Sequence, residues 1–131
     1  MFFLYNLLVF KGEEKSDYGG TLADAAEELT SKMKSWNPLF FGELPYIFGY
    51  ALSGTFFQMY VLFPDQSRHY AGGSPGVRKC PIGDKLDLAY LSARVTLLQY
   101  MINLVRIFEL MASKIPRNAP LLGYRTKRVG F

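Results

Sequence analysis

The chain has 131 residues, half of them hydrophobic and 16% aromatic, with 15 Lys+Arg against 11 Asp+Glu and a net charge of +4. These proportions exclude a disordered chain and fit one domain with a modest core. One Cys (Cys80) and one His (His69) exclude an intramolecular disulfide and a four-ligand zinc centre, and point to a reducing intracellular compartment, the nucleus included.

Residues 4–15 read as the first strand, apolar on both faces up to Phe10, as suits a strand covered on both sides. The apolar N-terminus has no basic leader and no small-residue cleavage site, so it reads as a strand and not a signal sequence. Thr21-Leu-Ala-Asp24 fits a capping box. Leu22, Ala25, Ala26, Leu29, Met33 and Trp36 then follow at helical spacing, with Asp24, Glu27, Glu28, Lys32 and Lys34 on the wet side. Asn37-Pro38 ends that helix. Two strands, 46–52 and 55–63, meet at Ser53-Gly54 in a tight hairpin. Gly49 and Ala51 are small enough to admit another element closely. Residues 64–85 read as one long loop, with a short extra strand around 77–80. Its run from Gly72 to Gly76 lacks the Lys-Ser/Thr of a phosphate loop.

The longest helix spans 88–113. Leu91, Val95, Leu98, Ile102, Val105 and Phe108 form one stripe, and Leu97, Met101, Leu104 and Met111 a second. Apolar on two sides, it reads as wedged between the sheet and something else. Gln99, Asn103, Arg106 and Glu109 interrupt it, so the expectation is a core helix and no membrane. Residues 116–131 form a linker and a basic tail. The fold class is α/β: a small mixed sheet of three or four strands with a helix on each side.

Glu13 and Lys15 lie two apart on a strand and share a face, with Glu14 on the other. A carboxylate and an ammonium so placed can share a divalent cation and a water molecule. This is the single acid-x-Lys of the chain, and it closes its most apolar strand. The order is strand, Glu-x-Lys, helix, hairpin, loop, helix. In that order, over residues 4–113, the chain resembles the PD-(D/E)XK nuclease superfamily. More narrowly it resembles the nuclease-like domain of Crinkler-type effectors and related fungal and oomycete proteins. Gly12-Glu13-Glu14-Lys15, the hairpin run from Phe48 to Tyr60, and Asp84-Lys-Leu-Asp87-Leu carry that closer similarity.

The resemblance implies a restriction-endonuclease-like fold and a metal-dependent nuclease domain over 1–115 that hydrolyses phosphodiester bonds of DNA. It implies Mg²⁺, or Mn²⁺ in its place, held by Glu13, with Lys15 orienting the attacking water. In that family an acidic residue on the preceding strand completes the metal site. No position here matches it, so the first catalytic strand is missing. The domain is then part of a longer nuclease, completed by association, or inactive. The alternative is a non-catalytic interaction or oligomerisation module that uses the 88–113 helix, with Glu13 and Lys15 a surface ion pair. Arg68, Arg78, Lys79, Arg125, Lys127 and Arg128 are the candidates to track a phosphate backbone. Tyr46, Tyr50 and Tyr60 have the spacing of core aromatics, with base stacking as the other use.

Overall fold

A computed structural model describes residues 2–4, 7–16, 19–33, 35–36, 44–69 and 75–114, with the backbone alone for 2–4, 7–9, 68, 69 and 114. The elements are β1 (Phe2–Leu4), β2 (Leu7–Lys15), α1 (Leu22–Ser31), β3 (Ile47–Ser53), β4 (Phe56–His69), β5 (Pro75–Asp87) and α2 (Leu91–Lys114). The sheet is five-stranded, in the order β1-β2-β3-β4-β5. Only β2 and β3 run parallel, and α1 makes the crossover between them.

The mixed sheet with one helix on each side matches the expectation, but it is larger. Residues 4–15 do not form one strand: Leu4 pairs with Leu7 in a tight reversal, so Phe2–Leu4 is a separate short strand. The expected loop 64–85 is mostly sheet. β4 runs on to His69 and β5 begins at Pro75. Glycine and proline suggested a loop there because they mark turns. β5 is an edge strand, where a missing N–H does no harm. Register shifts at Phe57/Met59 and Asp65/His69 absorb the irregularity. At the first of them Gly83 takes φ +68°, and a Cβ there would lie 2.2 Å from the Tyr100 hydroxyl of α2.

Alternation sorts the core into two layers. On one face Leu29 of α1 packs with Trp36, Ile47, Leu62 and Val77, while Ala25 and Ala26 meet Ala51. Gly49 leaves no room for a side chain, since a Cβ there would touch the Lys11 carbonyl at 2.9 Å and Leu29 of α1 at 3.2 Å. On the other face Leu104 and Met111 of α2 pack with Phe48, Phe57, Met59 and Leu86. The second stripe of α2 is therefore core, joined by Phe108 against Phe10 and Phe48. Leu91, Val95, Leu98, Ile102 and Val105 of the first stripe are exposed. Residues 91–113 are long and apolar enough to cross a membrane by length and composition, with mean hydropathy 1.3 and 11% of the window buried. The sheet therefore takes the second stripe and Phe108, and the rest of the first stripe is left on the side away from it.

Candidate functional site at the Glu-x-Lys strand end

Lys11, Glu13 and Lys15 alternate along β2 and all face α1. The small side chains of Ala25, Ala26 and Ala51 let the helix come close, which leaves the Glu13 side chain 13% exposed. The end of β2 is anchored by its neighbours. Gly54 N–H donates to the Lys15 carbonyl at 3.2 Å, and Ser53 Oγ donates to the Gly20 carbonyl at 2.9 Å.

Glu13 and Lys15 do not pair with each other. Lys32, at the C-cap of α1, reaches back to Glu13 Oε1. The same ammonium lies 3.0 Å from Glu28 Oε2, one helical turn earlier. Lys15 Nζ donates to Glu28 Oε1 at 2.6 Å. Lys11 Nζ lies 3.9 Å from Glu13 Oε2 and donates to the Leu29 carbonyl at 3.2 Å. The run Lys11–Glu13–Lys32–Glu28–Lys15 thus alternates in sign, with three ammoniums against two carboxylates, a net +1. Both Lys11 and Lys32 sit at the negative end of the α1 dipole, which favours cations.

The electrostatics follow from these contacts. The Lys15 and Lys32 ammoniums hold the Glu28 carboxyl down to about 2. Glu13, with Glu28, holds Lys32 above the ordinary lysine range, while burial pulls Lys11 below it. Glu14 faces the α2 side, as alternation requires, and accepts from Tyr50 Oη at 2.6 Å. Burial, then the Glu14 hydrogen bond, raises the Tyr50 phenol to about 12.

One oxygen of each carboxylate accepts from a lysine, Glu13 Oε1 from Lys32 and Glu28 Oε1 from Lys15; Glu28 Oε2 lies 3.0 Å from Lys32 with no hydrogen bond, and Glu13 Oε2 stands 3.9 Å from Lys11. Mg²⁺ needs free oxygen donors in near-octahedral array, and it would enter a cluster that is already positive. Among the described residues no group of three His, Cys, Asp or Glu gathers to hold a metal ion. As arranged, these residues do not fit Mg²⁺ or Mn²⁺.

Of the basic residues named from sequence, the side chains of two are described. Arg78 and Lys79 are adjacent on β5 and point to opposite faces. Lys79 lies 3.6 Å from Glu27, and Arg78 stands over the Phe63 ring at 5.8 Å. The Arg68 side chain, Arg125, Lys127 and Arg128 lie outside the described residues. Tyr50 stacks on Phe57 and Tyr60 packs on the alanine cluster; Tyr46 lies edge-on to Phe48.

Sequence reasoning missed Lys11, Glu28 and Lys32. A signal existed: Lys11-x-Glu13-x-Lys15 puts charges of alternating sign on one face of a strand read as buried. Only a helix with Glu28 and Lys32 four apart could complement it.

Over 123 residues this chain is 28% identical to Crinkler effector protein 8 of Phytophthora infestans, a match that spans 91% of this chain and 18% of that protein. The chain is thus a distant homologue of a segment under a fifth of the relative's length. No family model matches it, and no solved structure matches it.

Proposed function

We propose that the chain is a non-catalytic interaction module built on a nuclease-like frame, working in a reducing intracellular compartment. In this reading the Glu-x-Lys end is an ionic clasp between β2 and α1, and α2 is the docking element. One observation carries it: Glu13 and Glu28 each stand within ion-pair distance of two lysines of the chain itself. A carboxylate so committed is a poor metal ligand, and a Lys15 bonded to Glu28 is not free to orient water. The curated relative is named an effector, and a segment that acts through contacts is compatible with such a protein.

A second reading rests on a separate feature, the convergence of Glu13 and Glu28 on the single Lys32 ammonium. Two carboxylates near enough to share one ammonium are near enough to share a metal ion if Lys32 withdraws. That reading is a Mg²⁺-dependent nuclease acting on DNA, with Glu13 as ligand and Lys15 beside the water.

One experiment separates the two. The full chain is incubated with supercoiled and linear DNA in Mg²⁺ or Mn²⁺, and metal binding is followed by calorimetry. The interaction reading expects no cleavage, no binding heat, and identical behaviour of Glu13→Ala. Metal-dependent cleavage that is lost in both Glu13→Ala and Lys15→Ala would establish the nuclease instead.

A further inference from the structure

We infer that α2 pairs with α2 of a second copy, antiparallel, through its exposed apolar stripe. Leu91, Val95, Leu98, Ile102 and Val105 are 73%, 49%, 60%, 47% and 57% exposed. Their spacing is four, three, four, three. That is the repeat of a coiled-coil seam, narrower than the stripe a helix turns toward a sheet. β-branched Val95, Ile102 and Val105 alternate with Leu91 and Leu98 along it. A seam of this period calls for a helix of the same period. Among the described residues α2 supplies the one such free stripe, because the apolar residues of α1 are spent on the sheet.

Charge sets the direction. A parallel pair would superpose Glu109 on Glu109 of the second copy, like charges in a drying seam. In the antiparallel pair Val95 meets Val105 of the second copy and Leu98 meets Ile102, each contact occurring twice by the two-fold axis. Glu109 then lies beside Leu91 of the second copy, within a turn of its Arg94. The stripe covers ~22 Å of helix. Ten apolar side chains along that length make an interface at the small end of stable ones.

The stripe points away from the sheet, on the layer opposite Glu13 and Lys15. The inference therefore stands whichever way the cleavage experiment falls.

Sedimentation equilibrium of the full chain, from micromolar to millimolar, tests it. A reversible monomer–dimer equilibrium is expected. Leu98→Glu with Ile102→Glu should weaken it about a hundredfold or more, and the exposed positions leave the far-UV circular dichroism unchanged. In a Cys80→Ser background, an equal mixture of Val95→Cys and Val105→Cys chains under oxidised glutathione should form a mixed disulfide dimer faster than either alone. A chain that stays monomeric overturns the inference, whether the stripe is then found on phosphatidylcholine vesicles or covered by residues 115–131. So does a dimer untouched by the two glutamates. Faster crosslinking within each single-Cys population would make the pair parallel and overturn the direction.

Discussion

Glu28 carries the pH behaviour of the strand end. The Lys15 and Lys32 ammoniums hold its carboxyl down to about 2, against an ordinary value of 4.5. Between those values the unfolded chain binds the extra proton, so folding stability falls as pH drops through that window. Denaturation midpoints measured from pH 5 to 2 should show the decline, and Glu28→Gln should flatten it. Lys32→Met tests the clasp from the other side. It leaves Glu13 and Glu28 facing one another with one ammonium fewer, a repulsion that should lower the melting temperature. Added Mg²⁺ should raise that of the variant and leave the wild type unchanged; equal insensitivity of both proteins would show that the two carboxylates cannot share a metal. Gly12 is a third sensitive position. A Cβ there would sit 2.2 Å from the Tyr50 ring, so Gly12→Ala must push Tyr50 off Phe57 and away from Glu14. A loss of about 1–3 kcal/mol is expected by denaturant titration, together with a Tyr50 phenol that ionises at lower pH.

At the scale of elements, α1 shows the closest agreement between residues and structure. Thr21 Oγ1 accepts from Asp24 N at 3.2 Å, and Asp24 Oδ2 accepts from Thr21 N at 2.9 Å, the reciprocal capping box. The Thr21 backbone N–H, and after it the Thr21 side chain, hold the Asp24 carboxyl below its usual range. Thr21→Ala should cost about 1 kcal/mol in unfolding free energy. The β3–β4 hairpin was equally plain, since Ser53-Gly54 supplies a turn in which Gly54 takes φ +58°. The β4–β5 ribbon was not. Its pairing joins residues far apart in sequence, such as Phe57 with Leu86 and Tyr60 with Pro81. No local pattern announces such partners. The buried Gln58 side chain, which donates to the Ile82 and Gly83 carbonyls, holds the bulge that lets two irregular strands stay paired.

For the whole molecule, the two faces of the sheet do different work. The α1 face is sealed by small and branched side chains and carries the ion-pair run. Leu29, fully buried among Trp36, Ile47 and Leu62, should cost about 2–5 kcal/mol when cut to Ala, read as a lowered denaturation midpoint. The α2 face is sealed on one stripe of its helix and open on the other. Period alone shows that a helix has two apolar stripes; only packing shows which one the sheet takes.

The amino-acid sequence by itself determined the elements whose signals are local: the capped helix, the tight hairpin, the long two-striped helix, and the face shared by Glu13 and Lys15. Their periods and turn residues act within a few positions, and no distant partner can undo them. The tertiary structure alone decided the rest. Glu13 and Lys15 bind separate partners because α1 lays Glu28 and Lys32 over the end of β2, a contact that crosses thirteen to nineteen residues of chain. The same packing surrounds the candidate metal ligand Glu13 with lysines, because a carboxylate takes whichever cation the fold delivers to it.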